Sequence, residues 1–203
     1  AEAYAPRYYG AGGRKFHGLL ERVLATLACR RAAALIASWR DAGGTGTPVV
    51  CDLGCGRGVL LKAFRDLGAE VLGVERSHEP VDDDIADAVH VGTLVDEALA
   101  DRRLDIVVVW HVLEHLMTPD AVLDALAARC RDGALLAIAV PNFAGRQRRL
   151  FGRSWFHLDV PRHVIHFEAD DLVGRLRDRG FEAHAVHHFD PVQDPYGFVQ
   201  SAL

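Results

Sequence analysis

Short, continuously apolar segments alternate with helical patterns through most of this chain. The segments that predict strands are residues 48–53, 70–75, 88–91, 105–110, 134–140 and 181–189. Helical patterns fall near residues 16–39, 57–67, 95–101, 120–130 and 169–179. Strands that are apolar along their whole length are typical of a parallel sheet covered by helices on both faces. The sequence therefore predicts an α/β fold with a Rossmann-like, doubly wound and mostly parallel sheet.

The order of the segments also predicts how the chain is organised. Residues 1–45 would form an N-terminal lid and an amphipathic helix, and residues 46–203 a cofactor-binding core with an irregular insertion at about 141–167. Many doubly wound sheets carry an antiparallel strand at one edge. Only YGFVQSAL, residues 196–203, is left to pair with the strand at 181–189. We therefore expect an incomplete last antiparallel strand or a shortened chain.

Composition narrows the classes of function. A net charge of −5 over 203 residues argues against a protein that wraps nucleic acid. The chain has no uninterrupted apolar run of the roughly 18 residues that a membrane span requires, and no signal peptide is visible. Its four cysteines form neither a legible disulfide framework nor a four-cysteine metal site. These features predict a cytoplasmic protein without a membrane span. We expect a monomer or a homodimer, between which the sequence does not distinguish.

A glycine-rich turn, DLGCGRG at residues 52–58, follows the first predicted strand and precedes a predicted helix. Glycines let a ligand approach the main chain closely, and the helix start offers backbone amides. Glu75 ends the next predicted strand, 21 residues beyond Gly54. A carboxylate at that point suits two ribose hydroxyls. The arrangement predicts a nucleotide-type cofactor at the carboxyl ends of the strands.

The same turn distinguishes two cofactors. The dinucleotide fingerprint places its third glycine at position 59, where this chain has Val59. Asp52 would repel the anionic pyrophosphate of a nicotinamide cofactor but would attract the sulfonium and ammonium groups of S-adenosylmethionine. We therefore expect S-adenosyl-L-methionine, with S-adenosyl-L-homocysteine as product, and keep a nicotinamide-dependent reductase as an alternative.

Three stretches carry a family resemblance. VVCDLGCGRGVLL, VLGVERS and LDIVVVWHVLEHL resemble the class I S-adenosylmethionine-dependent methyltransferases. Residues 140–181 are similar to a bacterial small-molecule subgroup related to the ubiquinone-biosynthesis O-methyltransferases. The resemblance implies methyl transfer to a small-molecule acceptor, with a hydroxyl oxygen as the favoured site. A non-catalytic cofactor-binding module is the main alternative.

The resemblance also implies roles for individual residues. The methionine part of the cofactor would contact Asp52, Gly54, Cys55 and Gly56, followed by Trp110 and His111 near the sulfonium. The ribose and adenine would contact Glu75, Arg76, Gly92, Thr93 and Leu94. Tyr8 and Tyr9 occupy the place where the family often has a lid over the cofactor.

HVLEH, residues 111–115, also has the H-x-x-E-H spacing of a class of zinc peptidases. That function would require His111 and His115 on one helical face, with Glu168 or Glu182 as the third ligand. The apolar run that ends at Trp110 instead predicts that His111 terminates a strand. The sequence therefore predicts no metal site, and it leaves His115 as a structural residue, a general base or a substrate contact.

The irregular segment 141–167 is expected to form the acceptor pocket, because long loops at this edge of a sheet are often functional. Neutral imidazole accepts a hydroxyl proton near pH 7, so His163 is the first candidate general base, followed by His115 and His166. The alternative is that Arg162 and His163 only pin the loop by hydrogen bonds.

Four arginines, Arg146, Arg148, Arg149 and Arg153, lie in the same segment. They form either a solvated helix face or a surface for an anionic or lipid-like acceptor. Nucleic acid is not expected as an acceptor, because WHVLEH replaces the Asn/Asp-Pro-Pro-aromatic run of the enzymes that methylate DNA amino groups.

Overall fold

The computed structural model describes residues 17–92, 99, 102–190 and 193–202, with no side chains described for residues 17–20 and 193. The strands are β1 (Val49–Leu53), β2 (Glu70–Glu75), β3 (Val89–Val91), β4 (Leu104–Trp110) and β5 (Cys130–Ala139). The helices are α1 (His17–Asp41), α2 (Val59–Asp66), α3 (Pro119–Arg129), α4 (Arg146–Phe151), α5 (Ala169–Arg177) and α6 (Gln193–Ala202). Short 3₁₀ turns cover Ala86–Ala88, Leu113–His115, Gly152–Ser154 and Phe156–Leu158.

The five strands form one sheet in the order β3-β2-β1-β4-β5. β1 pairs in parallel with both β2 and β4, and β2 pairs in parallel with β3. The order reverses between β1 and β4, which is the point where open α/β sheets bind ligands. The predicted fold class and the predicted positions of the first five strands are confirmed.

The chain divides into two compact units. The first unit comprises the residues up to Trp110 and Ala128–Ile138, and the second comprises His111–Ala127 and Ala139–Leu203. In the first unit, α1 buries Ala28, Ala32, Ile36 and Trp39, which recur every three to four residues, in a core with Phe64 and Ile106. The expected boundary at residue 45 stays a prediction.

The second unit is built mainly from helices and turns. Leu123 and Leu126 of α3, Phe167 and Leu172 are buried in it. Arg175 donates hydrogen bonds to Asp120 and Asp171, and Arg179 donates to Asp120 and Asp124. The side chains of these three acids are between 48% and 64% exposed, so the ion pairs align α3 with α5 and contribute little free energy each.

The prediction of a strand at 181–189 is wrong. Residues 181–190 adopt no regular secondary structure, and most of them are exposed. An antiparallel hairpin requires both of its strands, and the expected partner lies largely within helix α6. The pattern at 181–189 therefore has no neighbouring strand to pair with.

Several predictions fall on residues outside the described ranges. These are the lid tyrosines Tyr8 and Tyr9, the cofactor contacts Thr93 and Leu94, and all but Leu99 of the helix near 95–101. Within the ranges that are described, no helix combines the length and apolar character that a membrane crossing requires.

Candidate functional site

The glycine-rich turn that follows β1 has three glycines with positive φ angles. Gly54, Gly56 and Gly58 have φ values of 72°, 55° and 81°. The amides of Gly54 and Cys55 both donate to the carbonyl oxygen of Val74, at 2.7 and 3.3 Å. The turn is thereby fixed against the end of β2, as expected for a loop that approaches a ligand with its main chain.

Glu75 connects this turn to the end of β2. Its Oε2 accepts a hydrogen bond of 2.8 Å from the Gly56 amide, and its Oε1 accepts one of 2.7 Å from the Arg76 amide. The Glu75 carbonyl accepts from the Gly92 amide at 2.9 Å. Each carboxylate oxygen has two lone pairs, so both oxygens keep capacity for ribose hydroxyls. The structure therefore brings together Gly56, Glu75, Arg76 and Gly92, as the sequence predicted.

Asp52 lies buried in β1, where only 4% of it is exposed. Burial raises the pKa of Asp52 to about 7, and the negative charge of Glu75 contributes a smaller part of this increase. The positive charge of Arg31 partly opposes the shift. A cationic ligand at the ends of these strands would stabilise the ionised form. The site thus has an electrostatic preference for a cation.

Arg57 fixes the middle of the glycine-rich turn. Its guanidinium donates two hydrogen bonds of 3.1 Å to the Asp82 carboxylate and one of 2.7 Å to Glu21 of α1. Hydrogen bonding to Glu21 and then to Asp82 raises the pKa of Arg57 above its ordinary value. The Arg57 carbonyl also accepts from the Asp82 amide. The sequence did not reveal this role, because its partners lie 25 and 36 residues away.

Trp110 ends β4, beside β1. The Arg31 guanidinium carbon lies 3.8 Å from the centre of the Trp110 ring, a cation–π contact. Arg31 therefore contacts Trp110 and also acts electrostatically on Asp52. In the sequence Arg31 was visible only as a charge that interrupts an apolar helix.

His111 follows β4 and belongs to the second unit. It has a positive φ of 57°, and its amide donates to the Ala139 carbonyl at 2.9 Å. Its Nδ1 lies 3.2 Å from Oε1 of Glu114. Residues 113–115 form one 3₁₀ turn rather than the helix that an H-x-x-E-H peptidase requires. The expected contact of His111 with the cofactor stays a prediction.

The three histidines predicted as general bases all lie in the second unit. Nδ1 of His115 lies 3.0 Å from the Arg162 carbonyl oxygen, and Nδ1 of His163 lies 2.7 Å from the His157 carbonyl oxygen. A carbonyl can only accept, so in both rings Nδ1 carries the hydrogen and Nε2 of the neutral ring has a lone pair. His166 has the other tautomer, because its Nε2 lies 3.0 Å from the Leu158 carbonyl oxygen.

These histidines form one cluster. The ring centres of His115 and His163 are 4.7 Å apart, and those of His163 and His166 are 6.3 Å apart. Burial lowers the pKa values of His163 and His157, so both rings are predominantly neutral at pH 7. The Glu114 carbonyl accepts from the Val164 amide and so fixes the His163 loop to the 113–115 turn. The sequence singled out Glu114, which is only 2% exposed, within HVLEH as part of a zinc-peptidase alternative, but it did not predict that Glu114 lies beside this cluster.

Comparisons with known proteins identify the family. A model described as "Methyltransferase domain" matches residues 17–186, and the chain belongs to this family. The ubiquinone biosynthesis O-methyltransferase of Shewanella halifaxensis is 31% identical over 110 residues, which are 50% of this chain and 47% of that protein. The protein of the same name from Cupriavidus pinatubonensis is 33% identical and covers 51% of this chain and 46% of its own length. The chain thus spans about half the length of these curated relatives.

Solved structures agree on the fold. The magnesium protoporphyrin IX methyltransferase of Synechocystis, with bound SAH, matches with a TM-score of 0.59 at 23% identity, over 86% of this chain and 81% of that one. A SAM-dependent methyltransferase from Archaeoglobus fulgidus matches with a TM-score of 0.56 at 22% identity, over 93% and 90% of the two chains. The described sheet is therefore the Rossmann-like sheet of class I methyltransferases.

Proposed function

We propose that this chain transfers a methyl group from S-adenosyl-L-methionine to a hydroxyl oxygen of a small molecule. The observation that carries the proposal is the placement of Asp52 and Glu75 near the carboxyl ends of the adjacent parallel strands β1 and β2, where Glu75 accepts a hydrogen bond from Gly56 of the glycine-rich turn. The curated relatives with 31% and 33% identity are named as O-methyltransferases and support oxygen as the acceptor atom.

The cofactor side of the proposal follows from charge and hydrogen-bonding capacity. Glu75 would accept hydrogen bonds from both ribose hydroxyls, and Arg76 and Gly92 would lie along the adenine. Asp52, Gly54, Cys55, Gly56 and Trp110 would contact the methionine part, with His111 near the sulfonium. Asp52 favours this cofactor over a dinucleotide because its ionised form attracts a sulfonium and repels a pyrophosphate.

The chemical step requires alignment more than activation. The acceptor oxygen forms a bond to the methyl carbon while the bond from that carbon to sulfur breaks, and S-adenosylhomocysteine leaves as the product. Holding oxygen, carbon and sulfur in line supplies on the order of 7–11 kcal/mol. The hydroxyl also loses a proton, and we assign its removal to the cluster of His163, His115 and His166. Removal of a proton at a fixed position adds about 10²–10⁴-fold.

The acceptor is proposed to be anionic or lipid-like. Arg146 and Arg149 of α4 are exposed, and so is Arg153 in the following turn. The apolar side chain of Leu150 lies between them in sequence and is 67% exposed. Basic groups around an exposed apolar side chain suit an acceptor that has a negative group and an apolar body.

A direct assay tests the function. The chain is incubated with S-adenosylmethionine labelled in the methyl group and with matched phenols and anilines, half of them bearing a carboxylate. We expect label in the phenols, more in the carboxylated ones, and none with Glu75→Ala. Label in the anilines alone would exclude oxygen as the acceptor atom. Cofactor binding without transfer to any member of the set would favour a non-catalytic module.

A further inference from the structure

Three side chains in the second unit converge on one point. Glu114 and His115 come from the turn after β4, and His163 comes from the loop that follows β5 and α4. One ligand atom from each of the three lies within 4.8 Å of those of the other two. Glu114 and His163 are buried, with 2% and 7% exposed, so water competes weakly for these atoms.

The two imidazoles are held as metal ligands usually are. A histidine that binds a metal through one nitrogen generally donates the hydrogen on the other to a carbonyl or carboxylate, which fixes its tautomer and orientation. Nδ1 of His115 has this contact with the Arg162 carbonyl, and Nδ1 of His163 has it with the His157 carbonyl. In both rings the second nitrogen, Nε2, is therefore the one with a lone pair.

Glu114 supplies an independent observation. Its Oε1 lies near Nδ1 of His111, but its Oε2 is buried and has no hydrogen-bond donor among the residues that the structure describes. A buried carboxylate oxygen without a donor is costly, because the charge loses its hydration and gains nothing in return. A cation at the centre of the three side chains would compensate this cost.

We propose that Glu114, His115 and His163 bind a divalent transition-metal ion, for which zinc is the best match, and that the ion binds the acceptor hydroxyl. Two neutral imidazoles and one carboxylate, with a fourth position open, are the ligands of a catalytic zinc site. This inference rests on the proposed function and changes its proton-transfer step: with the metal bound, His115 and His163 are ligands instead of general bases, and the metal lowers the pKa of the coordinated oxygen. The hydroxyl would then release its proton to water while His115 and His163 act as ligands. The sequence alone predicts no metal site, and this proposal departs from that prediction.

Binding requires a small contraction of the site. Zinc lies about 2.1 Å from each ligand atom, so atoms at tetrahedral angles are about 3.4 Å apart. The ligand atoms of this site, which lie within 4.8 Å of one another, would move together by as much as about 1.4 Å. Rotation of the Glu114 side chain and a shift of the His163 loop are the simplest ways to close that distance.

The experiment measures metal binding directly and does not depend on methyltransferase activity. The purified full chain is treated with a chelator, titrated with zinc in a calorimeter, and loaded with cobalt as a spectroscopic probe. We expect one equivalent of zinc and the absorption of a four-coordinate cobalt site. Loss of an outer hydrogen-bond partner usually weakens metal binding about 10–100-fold, so Glu114→Gln and His163→Ala should each weaken it at least about 100-fold.

Two control variants separate this site from surface binding. Three histidines are exposed, namely His184, His187 and His188. A variant with all three replaced by alanine should still bind one zinc ion per chain. His166→Ala should also keep it, since His166 is outside the ligand set. Zinc binding that disappears with the three exposed histidines, or no binding to the wild type, would overturn the proposal. S-adenosylmethionine binding to each metal-free variant shows that it is folded and tests the proposed function separately.

Discussion

The charge state of Asp52 should control how tightly the cofactor binds. In the free chain, burial raises the pKa of this carboxyl to about 7. The sulfonium and ammonium groups of S-adenosylmethionine favour the ionised form, so binding must be accompanied by loss of the proton whenever Asp52 is still protonated. Affinity should therefore rise with pH up to the pKa of Asp52 and level off above it.

The size of this effect follows from the pKa. A carboxyl with a pKa of about 7 is about 3% ionised at pH 5.5 and about half ionised at pH 7.0. If only the ionised form binds, the association constant should rise about 16-fold over this range, or about 1.6 kcal/mol. The cofactor's own amino group titrates at about 7.7–8.0, so the charge of the ligand stays constant over the range.

Calorimetry at both pH values, on wild type and on Asp52→Asn, checks this prediction. The variant keeps every histidine of the wild type. The difference between the two proteins in how the association constant changes with pH therefore isolates the contribution of Asp52. In buffers of different ionisation enthalpy, the wild type at pH 5.5 should release close to one more proton per cofactor than the variant. The same change in association constant with pH in the two proteins would refute the reasoning.

Four further predictions follow from other contacts. Arg31→Gln should move the midpoint of the Asp52-linked pH dependence upward, because the charge of Arg31 lowers that pKa; an unchanged midpoint would contradict the contact. Glu75→Gln should weaken S-adenosylmethionine binding about 10–100-fold by calorimetry, through loss of charge-assisted hydrogen bonds of about 1.5–3 kcal/mol, whereas Glu79→Gln at an exposed position should not. Gly58→Ala should lower the free energy of unfolding in urea more than Gly68→Ala does. Both have φ above 80°, but a Cβ at 58 would lie 2.5 Å from Ile85 and one at 68 meets nothing within 4 Å. The unfolding free energy of the cofactor-free wild type, relative to Asp52→Asn, should fall by about 3 kcal/mol from pH 4 to pH 7, because the native state keeps a proton that the unfolded state has lost; a rise would contradict the assignment.

The sheet was predictable from the sequence for a physical reason. Strands buried on both faces leave continuous apolar runs, and β2 was predicted with its observed bounds, Glu70–Glu75. The strand at 181–189 was not predictable in the same way. Its residues suit a strand only if a partner pairs with them, and the residues that would do so form helix α6.

The first unit's candidate site was largely predictable, and that of the second unit was not. Asp52 lies one residue before the end of β1 and Glu75 ends the adjacent parallel strand β2, so the topology alone places them at the same edge of the sheet. The convergence of Glu114 and His115 with His163 depends instead on a chain segment that passes through α3, β5 and α4 before it returns about 50 residues later. Periodicity carries no information about such a return. HVLEH suggested His111 and His115 as ligands of a zinc peptidase, but it could not predict that Glu114 and His115 lie near His163.

The central claim is that the ends of β1 and β2 bind a cationic methyl donor rather than a dinucleotide. Calorimetry with S-adenosylmethionine and, separately, with NADH tests it on the wild type and on Glu75→Ala. The account predicts micromolar binding of S-adenosylmethionine by the wild type, its loss in the variant, and no heat from NADH. Binding of NADH, or equal affinity of the two proteins for S-adenosylmethionine, would contradict it.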